Sequence, residues 1–250
     1  MSAEKSLAIV LRLVDFSETS VITTIFTRDF GKIGALAKGA KRPKGPFEAA
    51  LDLLAVVRVV FLRKSSDALD LLTEAKLERR FRAANRDLGR LYAGYYIAEL
   101  LDHLTDRSDP HPDLFDAADA ALLAIDGAGD VPTEILKFET TALRLLGHLP
   151  SLDVCVQCGD EVTTETRVAF GLQAGGVLCG RCRPGQRHVV SISRNALTVW
   201  QSFANAAEEG GDPPLTPSVR GELRGVLNNY LAHHLGRRLR MHDFLGLPTP

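Results

Sequence analysis

All four cysteines of the chain fall between residues 155 and 182, as two Cys-x-x-Cys pairs, Cys155-Val156-Gln157-Cys158 and Cys179-Gly180-Arg181-Cys182, separated by twenty residues. A two-residue gap lets both thiolates of a pair close on one tetrahedral ion, with zinc–sulfur bonds of about 2.3 Å. The distance between the pairs sits at the upper edge of the four-cysteine zinc pattern. Four thiolates would fill the coordination sphere and leave no position for water or substrate, so such a zinc is structural. Two disulfides or four free thiols are the competing arrangements. Nothing marks the chain as secreted, and a redox pair would prefer a single motif at the start of a helix, so matched pairs favour metal. Arg167–Leu172 and Val177–Leu178, around Gly175-Gly176, read as a hairpin that returns the second pair to the first.

The second chemical feature is cationic. Lys38, Lys41, Arg42 and Lys44 lie within seven positions, broken by Gly39, Pro43, Gly45 and Pro46, so they sit on a loop and not on a helix face. One reading is a solvated surface. The other is a phosphate-contacting loop, where glycines let backbone N–H groups approach anionic oxygens. No Gly-Lys-Ser/Thr follows, so a nucleotide-triphosphate loop is not supported. A third feature is a basic seam on an otherwise apolar helix. Lys137 and Arg144 are seven apart, hence about 20° apart around the axis. They are either snorkelling surface residues or a holder for a hydrophobic peptide ending in a carboxylate.

Catalytic constellations are absent from the sequence: there is no Gly-x-Ser-x-Gly, no His-Glu-x-x-His and no dinucleotide fingerprint. His233 and His234 are adjacent, point about 100° apart on a helix and make poor co-ligands. The acidic residues of 99–119 read as solvated helix faces.

These groups need elements to carry them. Residues 6–74 read as β, with strands at Ser6–Val14, Val21–Thr27, Lys32–Ala37, Leu51–Leu62 and Ala68–Thr73. Leu7, Ile9, Leu11 and Leu13 are expected on one face of the first. A polar break, Asp15-Phe16-Ser17-Glu18-Thr19, precedes the second, and Lys64-Ser65-Ser66-Asp67 is a turn before the last. Five strands with no room for crossover helices predict a small antiparallel barrel of OB type. From residue 87 the period becomes 3.6, with Leu88, Leu91, Tyr92, Tyr95, Ala98 and Leu101 on one helix face. Pro112–Ile125 is a second helix, and a third runs from Pro132 to Gly147. Ser193–Ala207 is helical and holds Trp200 as a core residue, Glu208–Pro214 is a linker, and Thr216-Pro217 starts a last helix ending near Gly236. The fold class is therefore α+β: a barrel domain over 1–80, then a helical domain over 81–250 with a zinc knuckle embedded at 151–190.

Composition sets the outer bounds. With 250 residues, 45 % hydrophobic and 24 % charged, this is an ordinary globular chain. No apolar run reaches the length of about eighteen residues that reads as a membrane span, and the N-terminus lacks a signal-peptide pattern, so the expectation is a cytosolic protein. The net charge of −1 conceals an asymmetry. Residues 1–80 carry fourteen Lys/Arg against ten Asp/Glu, and residues 81–150 carry six against twelve. Only the first section leans toward an anionic partner.

In this order, the features resemble the RecO family of recombination mediators over nearly the whole chain. The N-terminal match is Ser17-Glu18-Thr19-Ser20, Phe26-Thr27, Gly31 and Ala37-Lys38-Gly39-Ala40-Lys41-Arg42. It continues through Tyr96-Ile97-Ala98-Glu99-Leu100-Leu101, Phe138-Glu139, and Leu145-Leu146-Gly147. The knuckle matches at Pro150-Ser151-Leu152-Asp153-Val154-Cys155 and Gly175-Gly176-Val177-Leu178-Cys179. The closing helix matches at Tyr230-Leu231, His234-Leu235-Gly236 and Leu239. Arg240-Met241 stands where the family often has Lys-Ser.

The resemblance implies a cytoplasmic, nucleoid-associated, non-enzymatic protein that binds single- and double-stranded DNA and anneals complementary strands. It also implies help in loading RecA onto strands coated by single-stranded-DNA-binding protein. The implied partners are RecR and the acidic C-terminal tail of that coating protein, for which Lys137 and Arg144 are the candidate contacts. Lys38, Lys41, Arg42 and Lys44 become the candidate DNA loop. A zinc-ribbon transcription or translation factor is the alternative; it would carry basic or aromatic residues on the knuckle, whereas residues 151–190 hold four cations against four acids.

Overall fold

The first strand is long enough to pair with two neighbours. In the computed structural model, which describes residues 3–43, 45–47, 50–64, 68–83, 87–162, 166–205 and 215–246, β1 (Ala3–Asp15) runs antiparallel to β4 (Val56–Leu62) along its first half. Along its second half it runs antiparallel to β2 (Val21–Thr27). β2 pairs with β3 (Gly31–Ala37), and β4 with β5 (Asp70–Arg79), again antiparallel. The ring β1-β2-β3-β5-β4 closes through a parallel seam between β3 and β5 at Ala35–Ala37. The OB-like barrel expected from the sequence is therefore antiparallel at every seam but this one. The expected turn at residues 64–67 lies mostly outside the described residues, and Lys44 and the linker at 208–214 lie wholly outside them.

Inside the barrel sit Ala8, Val10, Ile25, Ile33, Ala35, Ala37, Val57, Val59, Phe61, Leu72 and Ala75. This corrects the face expected for β1. Ala8 and Val10 line the barrel interior, and Ile9 is buried outside that cluster. The cause is a register shift between Val10 and Arg12 against β2: an extra residue there reverses the alternation, so that Leu13 again packs on the interior cluster. A second shift, where Phe61 faces Leu72 and Val60 faces Glu74, does the same to β5. The expected strand Leu51–Leu62 is also shorter. Leu54 takes a left-handed φ of 64° with its side chain 1 % exposed, and Leu54 and Ala55 bond to Val10 before β4 begins. The apolar run reports burial through a turn, not one extended strand.

Two compact units make up the chain, Met1–Gly129 with Asp243–Pro250, and Asp130–His242. In the first, α1 (Leu88–Leu104) and α2 (Pro112–Asp126) join the barrel. Asp87 caps α1 by accepting from the N–H groups of Gly89 and Arg90. The buried face of α1 is Ala93, Gly94, Tyr96, Ile97, Ala98, Leu100 and Leu101; it keeps Ala98 and Leu101 of the expected stripe, whereas Leu88 is 53 % exposed. The acidic residues of this region are not simply solvated. Arg28 grips Asp116 with two bonds of 2.8 Å, Lys32 pairs with Asp102, and Arg79 pairs with Asp119. Asp126 accepts from the N–H groups of Arg82 and Ala83. Three acids of α1 and α2 are thus paired with cations of residues 1–80. At Gly31 (φ 70°) an added Cβ would lie 2.1 Å from the Asp109 carbonyl oxygen, so only glycine admits this approach. Phe244 meets Tyr92 at a tilt of 48°, with ring centroids 5.0 Å apart.

The second unit holds α3 (Val131–Leu145), a sheet of order β7-β6-β8 (Gly176–Leu178, Arg167–Gly171, Val189–Ser193), α4 (Arg194–Ala204) and α5 (Pro217–Leu235). Trp200 is fully buried beside Phe170, with ring centroids 5.3 Å apart, and Tyr230 meets Phe170 edge-on. Thr216 caps α5, Pro217 occupies its first turn and Gly236 ends it in the left-handed conformation. Strand β8 was not anticipated. Its five residues, Val189-Val190-Ser191-Ile192-Ser193, are too short to declare a period.

Candidate metal centre and nucleic-acid interface

The hairpin β6–β7 brings the two cysteine pairs together as the spacing predicts. Each pair is folded by its own backbone: Gly159 N–H donates to the Cys155 carbonyl at 2.8 Å, and Cys182 N–H to the Cys179 carbonyl at 3.1 Å. The Val156 N–H donates to Val177 of β7, fixing the first turn to the sheet. Arg181 of the second turn pairs with Asp160 beside the first, a clasp the motif spacing did not reveal.

All four sulfurs lie within 4.8 Å of one another, and Cys158 Sγ stands 3.7 Å from Cys179 Sγ. A tetrahedron with metal–sulfur bonds of about 2.3 Å has edges of about 3.8 Å. The donor set therefore fits one thiophilic ion, closed to any further ligand. Cys155 is buried, Cys179 and Cys182 are half-buried, and Cys158 is exposed. Burial pushes the Cys155 thiol up, but N–H groups of Cys179, Cys158 and Gln157 outweigh it and bring it down to about 6. Contacts with the Cys158 and Cys179 thiols push Cys182 up to about 12. Four thiolates cannot share this volume without a cation to hold them.

The cationic loop follows β3. Lys38, Lys41 and Arg42 are exposed, and Gly39 turns the chain at φ 73° with the Arg42 N–H closing on its carbonyl at 3.0 Å. A side chain at residue 39 would be strained in this conformation. The loop is tied to the β1–β2 turn: Lys41 N–H donates to Thr19 at 3.0 Å, Gly39 N–H to Ser20 Oγ at 3.4 Å, and Lys41 Nζ meets Asp15 Oδ2 at 2.7 Å. Three of the four expected cations thus share one loop at a barrel edge; Lys44 is not described.

Lys137 and Arg144 share one side of α3. Lys137 is half-buried and Arg144 exposed, while Ile135, Leu136, Phe138, Ala142 and Leu143 are buried around the helix. The apolar arc is wider than the sequence suggested, leaving the basic seam as its narrow outer edge. His233 and His234 serve different neighbours, His188 at 5.9 Å and His148 at 4.0 Å between centroids, so they do not converge. Arg237, Arg238 and Arg240 form a second exposed basic group after α5. No helix among the described residues is long and apolar enough to cross a membrane.

Comparison with known proteins covers both units. A family model described as "Recombination protein O N terminal" matches residues 1–81, and one described as "Recombination protein O C terminal" matches residues 85–242. A protein of Rhodopirellula baltica named DNA repair protein RecO is 46 % identical over 263 residues, spanning 96 % of this chain and 97 % of its own. Proteins of the same name from Myxococcus xanthus and Anaeromyxobacter dehalogenans are 36 % and 35 % identical. They cover 96 % and 98 % of this chain, and 95 % and 96 % of their own lengths.

Proposed function

The chain belongs to the RecO family of DNA-repair proteins, non-catalytic recombination mediators, and from that premise we propose that it binds single- and double-stranded DNA through its barrel. We propose further that it anneals complementary strands and helps load RecA onto strands coated by single-stranded-DNA-binding protein. The observation that carries this reading is the loop of Lys38, Lys41 and Arg42, exposed together and fastened to the β1–β2 turn of an OB-like barrel. Loops and strand faces beside such barrels take the phosphates of single strands, largely without regard to sequence. Lys44 completes the cluster in sequence.

The four-cysteine centre holds Zn²⁺ through Cys155, Cys158, Cys179 and Cys182, and its role is structural. Four soft thiolates at tetrahedral spacing suit zinc and leave it no catalytic position. The seam of Lys137 and Arg144 receives the acidic tail of the coating protein, the cations meeting its carboxylates. RecR is the other partner, and the protein works in the cytoplasm at the nucleoid.

The test is annealing of complementary oligonucleotides coated with single-stranded-DNA-binding protein, with and without this chain. Acceleration by the wild type, and its loss when Lys38, Lys41, Arg42 and Lys44 are replaced by alanine, is the expected result. Coated strands that pair at the same rate in both cases would refute the assignment.

A further inference from the structure

Phe16 is 61 % exposed, the most exposed large hydrophobic side chain among the described residues. Isolated exposed apolar residues are common and carry no message alone. Its setting is different. The turn that holds it is built tightly, with the Phe16 and Ser17 N–H groups donating to the Ser20 carbonyl at 3.0 and 3.2 Å, and Ser20 N–H donating to Ser17 Oγ at 3.2 Å. Val14, two residues earlier, is also 41 % exposed, so apolar surface continues along the end of β1. The residues flanking Phe16 are those that fasten the cationic loop: Asp15 to Lys41 Nζ, Thr19 to Lys41 N–H and Ser20 to Gly39 N–H. An exposed aromatic thus sits on the turn that fastens the loop of Lys38, Lys41 and Arg42.

We infer that Phe16 is a base-stacking platform for single-stranded nucleic acid, taking the face of an unpaired base while the neighbouring loop takes the phosphates. The inference rests on the proposal that the barrel binds DNA, and adds to it the residue that tells single strands from duplex. Every base offers a π-face only when unstacked, so an aromatic beside a cationic track selects unpaired strands without reading sequence. The exposed carboxylates of Asp15 and Glu18 on the same turn repel phosphate there. They therefore orient the strand, with its backbone toward Lys38 and Arg42 and its bases toward Phe16.

The experiment compares the wild-type protein with Phe16→Ala and Phe16→Trp on a short thymidine oligonucleotide, on the same strand carrying abasic sites, and on duplex. Phe16→Ala should weaken binding of the base-bearing strand roughly tenfold, within the range of one lost stack. It should leave the abasic strand, the duplex and the salt slope unchanged. Phe16→Trp should retain affinity, and its fluorescence should be quenched by the base-bearing strand alone. The natural Trp200 is fully buried and supplies a constant background. Unchanged affinity of Phe16→Ala for the base-bearing strand would overturn the inference and leave the turn to a protein partner. Equal weakening on base-bearing and abasic strands would overturn it too, as the mark of a loop prop. A wild-type protein that binds no strand at all would instead refute the parent proposal, and the two failures are thereby distinct.

Discussion

Lys41 Nζ lies 2.7 Å from Asp15 Oδ2, so one cation of the loop after β3 is already paired to the end of β1. Both side chains are open to water, at 40 % and 77 % exposure, and such pairs are worth about 0–1 kcal/mol. The carboxylate is a weak competitor that a phosphate can displace. Asp15→Asn should therefore tighten single-strand binding by up to about fivefold at low salt, with the gain fading as salt screens the charges. Fluorescence anisotropy over a salt series checks this. Weaker binding by the variant would mean that Asp15 holds the loop in its working shape.

Metal should hold the second unit together. The four sulfurs are crowded within 4.8 Å, and structural zinc sites in peptides contribute on the order of 10–16 kcal/mol at neutral pH. Cys155→Ser or Cys182→Ser should lower zinc content and soluble yield. Elemental analysis and thermal melting read both. A metal-free protein with unchanged melting would refute the site.

Glu222 supplies an acid-sensitive joint. Its carboxylate accepts from Ser193 N–H at 3.0 Å, from the Ser193 hydroxyl and from Arg167 at 2.6 Å, joining α5 to the start of α4 and to β6. Burial pushes its pKa up, but the bonds from Ser193 and Arg167 outweigh it and hold the carboxyl below its usual value. With the folded pKa depressed, the stabilisation is present above the unfolded value and lost as pH falls through the folded one. Glu222→Gln should cost about 1–3 kcal/mol near neutrality, and the gap to wild type should begin to narrow as pH falls below the ordinary glutamate value of about 4.3 and close below the lower folded pKa. A gap that stays constant with pH would show that packing, not charge, accounts for the loss.

Charge reversal of Lys137 and Arg144 should weaken binding of the coating protein's tail peptide and leave naked-DNA binding unaltered. Anisotropy with the labelled peptide measures the first and with a labelled strand the second. Equal peptide affinity would remove α3 as the docking face.

The features legible in the sequence were those set by local rules. Cys-x-x-Cys spacing foretold a tetrahedral cluster because two-residue turns fix sulfur positions, and Thr216-Pro217 and Gly236 marked the two ends of α5. What stayed hidden depends on registers and partners distant in the chain. The bulge past Val10 inverts the face of β1, and no alternation count anticipates an inserted residue. Asp102, Asp116 and Asp119 resembled solvated acids until the fold set Lys32, Arg28 and Arg79 opposite them. Phe16 lay in a stretch read only as a polar break, and its exposure is a property of the folded turn.

The most direct test of the account is the salt dependence of single-strand binding. If Lys38, Lys41, Arg42 and Lys44 each meet a phosphate, the slope of log affinity against log salt is about −2.8, from about −0.7 per contact. Replacing all four by alanine should flatten that slope toward zero and abolish annealing, with zinc content preserved. A variant that keeps both its slope and its annealing rate would contradict the account and move the DNA site to Arg237, Arg238 and Arg240.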